Sequence, residues 1–216
     1  MSRAPGTPRA ARPKRRSSLQ RPVAVAITGG IGAGKSEALA SFARHGAAVI
    51  SSDDIVHRLL AEDEEVKQAM VDRLGEGILD DAGQIDRGAV ADIVFADRDA
   101  LEWLERLLHP RVVHEYMAWR DGLGRLDDPP AVVATEVPLL YEAGGESRFD
   151  VVVAITAPPD VREGRARVPL AAREPRLLPE EEKVKRADFA YVNDGSPADL
   201  DAFVAGVMDE LVSRST

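Results

Sequence analysis

Apolar residues in this chain fall into two patterns. Unbroken runs at 23–28 (VAVAIT), 47–50 (AAVI), 131–137 (AVVATEV), 149–155 (FDVVVAI) and 189–192 (FAYV) are short and show little polar alternation. They predict five strands covered on both faces, as in a parallel sheet. Between the runs, apolar residues recur every three or four positions. The spacing predicts a helix over 37–45 closed by Gly46, another over 55–61, and an almost wholly helical stretch at 62–125. In that stretch Val66, Met70, Val71 and Leu74 mark one face that ends at Gly75, and Asp86-Arg87 precedes a helix over 89–95. From Asp97, which fits a helix cap, Leu101, Leu104, Leu107 and Leu108 form a stripe up to His109-Pro110. The restriction before proline predicts a break or kink there. Trp103, Tyr116 and Trp119 read as core or interface. Ser196 as cap, Pro197 in the first turn and a stripe at Leu200, Phe203, Val204, Val207, Met208 and Leu211 predict a terminal helix. Strands alternating with helices predict an α/β fold, a doubly wound five-stranded parallel sheet with a helical insertion.

The first strand runs into Gly29-Gly30-Ile31-Gly32-Ala33-Gly34-Lys35-Ser36, and a helix follows. This is a G-x-x-x-x-G-K-S loop, and the strand before it and the helix after it give the letters their meaning. Backbone N–H groups from Gly30, Ile31, Gly32, Ala33 and Gly34 converge on phosphate oxygens at the positive end of the helix. Lys35 is expected at the β- and γ-phosphates and Ser36 at a magnesium ion, so the cofactors implied are ATP and Mg2+. The fold class is therefore that of a P-loop NTPase. Ser51-Ser52-Asp53-Asp54 follows the second strand, at the sheet edge where ligands of open α/β folds bind. Asp53 has two open readings there: N-cap of the next helix, or a reacting group near the phosphates. The third strand ends in Glu136, placed either to reach the metal through water or to pair with an arginine.

Composition narrows the class. The chain of 216 residues has no cysteine, which excludes disulfides, thiolate metal sites and a cysteine nucleophile. No apolar run is long enough to cross a bilayer. Arg15-Arg16 lacks the apolar core of an export signal, so a cytoplasmic protein without a membrane partner is expected. Residues 1–21 hold seven bases and no acid, leaving 21 bases against 37 acids beyond them, a net of −16. The basic leader at 1–21 reads as disordered. So acidic a body at 22–216 is not expected to bind nucleic acid. Against that background, 162–176 holds Arg162, Arg165, Arg167, Arg173 and Arg176 with only two acids. It reads either as a mobile arginine-rich lid within about 160–183 or as a solvated helix face.

A phosphate loop, a helical insertion after the second strand and a late arginine-rich segment form the plan of a small-molecule kinase. Several ordered segments are more particular. They are 28–36; Val49-Ile50 with Asp53; Asp86-Arg87 with Ile93-Val94-Phe95; Leu108-His109-Pro110; Pro138-Leu139-Leu140-Tyr141-Glu142; and Glu182-Lys183 with Arg186-Ala187-Asp188 and Asn193. In these, from about Val23 onward, the chain resembles the dephospho-coenzyme A kinases. The resemblance implies transfer of the ATP γ-phosphate to the ribose 3′-hydroxyl of dephospho-CoA, its small-molecule partner. It implies Asp53 as the base, Lys35, Arg165 and Arg173 on the transferring phosphate, and Ser36 with Glu136 (via water) at the metal. It further implies Asn193 beside adenine, and Arg87, His109, Glu142 and Asp53 toward the acceptor. Glu37, Glu136 and Leu177 depart from the family pattern, which has threonine, aspartate and glutamine there. Two other readings stand beside this one: a kinase for a nucleoside or shikimate-like acceptor, and a non-catalytic nucleotide-binding regulator. Oligomeric state is not legible.

Overall fold

In a computed structural model of the chain, residues 21–165 and 178–214 are described. The five apolar runs form one parallel sheet in the order β2-β3-β1-β4-β5. Its strands are β1 (Val23–Thr28), β2 (Ala48–Ser51), β3 (Val132–Glu136), β4 (Val151–Thr156) and β5 (Phe189–Val192). The register aligns their carboxyl ends: Glu136 lies opposite both Ile27 and Ser51, and Thr156 lies opposite Val192. The phosphate loop after β1, the turn after β2, the end of β3 and the turn after β5 therefore open onto one edge.

Both faces of the sheet are covered, which is why its central strands are apolar throughout. On one face α1 (Lys35–Arg44) and α8 (Pro197–Arg214) pack Phe42, Leu39, Leu200, Val204 and Leu211 against Val25, Ile27 and Val153. On the other, Leu140 and Tyr141 lie over Ala26 and Val152. Beside them α2 (Ser52–Glu62) brings Ile55 and Leu59 to Tyr116 of α5 (Arg98–Gly124). With α3 (Glu64–Leu74) and α4 (Arg87–Ala96), these helices form the insertion between β2 and β3, with its own core of Val66, Met70, Ile78, Val94 and Leu108. Trp103 packs on that core, and Trp119 packs beside Tyr116.

The structure corrects three expectations. The helix does not break at His109-Pro110: α5, 27 residues in all, runs on through Pro110 to Gly124. Proline there removes one hydrogen bond and crowds the preceding turn. Each half of the helix is nevertheless held by packing, Ala100 and Leu108 in the insertion core and Tyr116 against α2, and tertiary packing outweighs local propensity. The cap of α2 is Ser51, whose hydroxyl accepts from the Asp53 backbone N–H at 3.1 Å. Asp53 thus lies inside the first turn and is not the cap. Arg21, assigned to the leader by composition, joins the fold by bonding Asp150 at 2.6 Å. The leader expected at 1–21 otherwise lies outside the described residues, as do Arg167, Arg173, Arg176 and Leu177.

Candidate active site

The loop after β1 is shaped by glycine where a side chain cannot be accommodated. Gly34 caps α1 with φ +99°, and a Cβ there would come within 2.3 Å of Asn193 Nδ2. At Gly30 a Cβ would fall 1.9 Å from the Glu180 carboxylate. The loop is thus wrapped closely by Glu180 and Asn193 and leads into the first turn of α1 at the carboxyl edge of the sheet.

Lys35 and Ser36, the first two residues of α1, meet Glu136. Lys35 is 7% exposed. Its Nζ donates to the Gly30 carbonyl at 2.9 Å and stands 3.8 Å from Glu136 Oε1. Ser36 Oγ donates to Glu136 Oε2 at 2.9 Å, and Ser52 Oγ donates to the Glu136 carbonyl at 2.8 Å. Burial pushes the Lys35 ammonium below the ordinary lysine range, Glu136 pulls it back, Lys183 opposes, and the charges of Glu180 and Asp53 also favour its protonation. A buried lysine held between desolvation and specific charged partners marks a candidate functional site. Asp53 is exposed and reaches this cluster electrostatically, across the β2–β3 register that sets Ser51 opposite Glu136. Glu136 is engaged by Ser36 and Lys35, and not by any described arginine.

Asn193, 5% exposed, is pinned from three sides. Its N–H donates to Thr156 O at 2.7 Å, its Nδ2 donates to Ala33 O at 2.9 Å, and its carbonyl accepts from Arg165 Nη1 at 3.3 Å. The turn after β5 therefore clamps the phosphate loop and holds an arginine of α6 (Pro159–Arg165) beside it. The arginine-rich segment divides. Arg162 is buried, donating from Nε to Ala157 O at 3.2 Å and facing Glu180 Oε1 at 3.7 Å; it packs behind the loop and does not lie on a solvated helix face. Glu37, a departure from the family pattern, pairs with Arg44 at 2.9 Å on the surface of α1.

The structure does not join every candidate. Arg87 at the start of α4 and His109 on α5 are exposed on the insertion, and no hydrogen bond or ion pair among the described residues ties either to the phosphate loop. Glu142 holds Lys183 Nζ at 2.9 Å and the Leu178 N–H at 2.8 Å. Sequence reasoning gave no role to Lys183 or Glu180 and counted Arg162 among the lid arginines. Lys183 in α7 (Glu180–Arg186) and Arg162 in α6 are charged residues that folding buries, and burial is not written in the local pattern.

The model of the dephospho-CoA kinase family matches residues 23–199. The chain belongs to that family. A dephospho-CoA kinase from Protochlamydia amoebophila is 35% identical over 198 residues, which cover 87% of this chain and 95% of the relative. One from Thermus thermophilus is 35% identical over 88% of this chain and 92% of its own length. Among solved structures, the Thermus thermophilus protein TT1252 superposes with a TM-score of 0.71 at 33% identity, over 88% of this chain and 98% of that one. The Campylobacter jejuni dephospho-CoA kinase gives 0.62 at 27% identity, over 87% and 96%. Like the dephospho-CoA kinases it resembles, this α/β chain has a site built for a nucleotide. No helix among its described residues is long and apolar enough to cross a membrane.

Proposed function

We propose that this family member transfers the γ-phosphate of ATP to the ribose 3′-hydroxyl of dephospho-CoA, giving coenzyme A and ADP. The observation that carries the reading is the meeting of Lys35, Ser36 and Glu136 at the carboxyl edge of the sheet, with Asp53 on the same edge just past the end of β2, in a chain of this family.

The residues fit the groups they would receive. A hydroxyl and one carboxylate 2.9 Å apart are hard oxygen donors, and magnesium is held by one or two such ligands with water and phosphate oxygens rather than by a protein cage. Among the described residues no cluster of three or more acids and histidines forms such a cage. Bound there, Mg2+ would neutralise charge on the β- and γ-phosphates. Ser36 would bind it directly and Glu136 through water. The loop N–H groups from Gly30 to Gly34 hold the phosphates, and Lys35 exchanges its bond to Gly30 O for the γ-phosphate. Asp53 accepts the ribose proton as the 3′-oxygen bonds to phosphorus and the bond to the bridging oxygen breaks. Arg165, with Arg173 outside the described residues, neutralises the transferring group. Asn193, while clamping Ala33, borders the adenine, and Arg87 and His109 contact the acceptor from the insertion. Glu142, which holds Lys183 and the Leu178 N–H, is assigned to the acceptor by the family resemblance alone. Positioning and charge neutralisation suffice for such a loose transition state, and no covalent intermediate is needed.

An acceptor panel tests this reading. ADP release in the presence of Mg-ATP is expected with dephospho-CoA and not with nucleosides or shikimate. Release with one of those acceptors instead would overturn the assignment, and nucleotide binding without any acceptor-dependent release would support a non-catalytic regulator.

A further inference from the structure

Lys183 is the most buried charged side chain among the described residues, at 1% exposure. A buried ammonium is sustained only by close partners. Its Nζ donates to Glu142 Oε1 at 2.9 Å and to the Pro138 carbonyl at 3.0 Å. Thr28 Oγ1, on the last residue of β1, donates to that same carbonyl at 3.5 Å. Pro138 stands two residues beyond Glu136, whose carboxylate holds Ser36 and faces Lys35. On its other side Lys183 belongs to α7, whose first residue, Glu180, lies against Gly30 and faces Arg162. One side chain thus joins the ends of β1 and β3 to the helix that backs the phosphate loop, and its charge is felt at Lys35.

We propose that Lys183 is a positioning residue for metal-dependent nucleotide binding: by fixing the Pro138 carbonyl between Glu142 and β1, it sets where Glu136 stands against Ser36. This rests on the proposed Mg-ATP reading. Lys183 touches neither nucleotide nor metal. It acts through Glu136, as groups behind a metal's own ligands orient those ligands.

The test uses the full chain and the fluorescent nucleotide mant-ATP, titrated with excess EDTA and with Mg2+. In the double variant Lys183→Met/Glu142→Leu both charges are removed together, so no lone buried charge is left to unfold the protein. Metal-free affinity is expected to match the wild type, while the melting temperature falls, because the Pro138 carbonyl and the Leu178 N–H lose their side-chain partners. The gain in affinity on adding Mg2+ is expected to shrink by about tenfold. Glu142→Gln, which keeps an acceptor for Lys183, is expected to show a smaller loss in the same direction, and it decides the matter should the double variant fail to fold. A folded variant with the wild-type Mg2+ gain would overturn the proposal, as would equal losses with and without Mg2+, which mark general loosening of the loop. The titration needs no dephospho-CoA, so a wild-type chain that binds Mg-nucleotide but does not turn over defeats the proposed reaction and leaves this test decisive.

Discussion

At the scale of single residues, the phosphate loop depends on groups that deny it space. Gly34 combines φ +99° with a Cβ position 2.3 Å from Asn193 Nδ2. Gly34→Ala must strain the turn or expel the clamp, at about 1–3 kcal/mol. We expect ATP affinity to fall by about tenfold or more in a nucleotide titration, since 1.4 kcal/mol is a factor of ten. Asn193→Ala leaves the Ala33 carbonyl without its side-chain donor and should cost about 1–3 kcal/mol in denaturant unfolding, with weaker nucleotide binding. The motif letters made the loop legible, and the position of Asp53 after β2 made its placement at the sheet edge legible. The clamp by Asn193 was not, because its partner Ala33 lies 160 residues away and only the β4–β5 pairing brings them together. Arg162 looked like one more cation in a basic segment for the same reason, since nothing local shows that Ala157 O and Glu180 enclose it.

At the scale of elements, α1 and α8 are stapled by Asp201, whose carboxylate accepts from Ser41 Oγ at 2.6 Å and Arg44 Nη2 at 2.7 Å and meets His45 Nε2 at 3.1 Å. The Ser41 hydroxyl first, and Arg44 with it, hold this carboxyl down at about 2. Because the folded value is depressed, the staple's contribution is present above the ordinary aspartate value near 3.8 and is lost as pH falls toward about 2. Asp201→Asn should therefore lower the melting temperature at neutral pH, and the gap from wild type should close across that window. In α5 the periodicity of the leucines was legible and the continuation past Pro110 was not, since packing on both halves overrides the local preference. Proline in a helix interior costs about 3 kcal/mol relative to alanine, so Pro110→Ala should raise the melting temperature in a thermal melt.

At the scale of the whole molecule, the number and parallel character of the strands were legible from continuous apolar runs, but their order was not. Placing β3 between β2 and β1 is what brings Glu136 beside Ser36, and pairing of strands so far apart in the chain leaves no trace in local periodicity. The site is assembled by the sheet, so a ligand that binds only the folded edge must stabilise the entire domain. Mg-ATP at a hundred times its dissociation constant should add about 2.7 kcal/mol to unfolding, seen as a rise in melting temperature that Gly34→Ala, binding about tenfold more weakly, cuts to about half at the same ligand concentration. The most direct test of the central claim is ADP release at saturating Mg-ATP, with and without dephospho-CoA, for the wild type and Asp53→Asn side by side. The account predicts release that requires dephospho-CoA and falls about 10²–10⁴-fold in Asp53→Asn, the range of a general base, with nucleotide binding retained. Undiminished turnover in Asp53→Asn, or no acceptor-dependent release by the wild type, would contradict it.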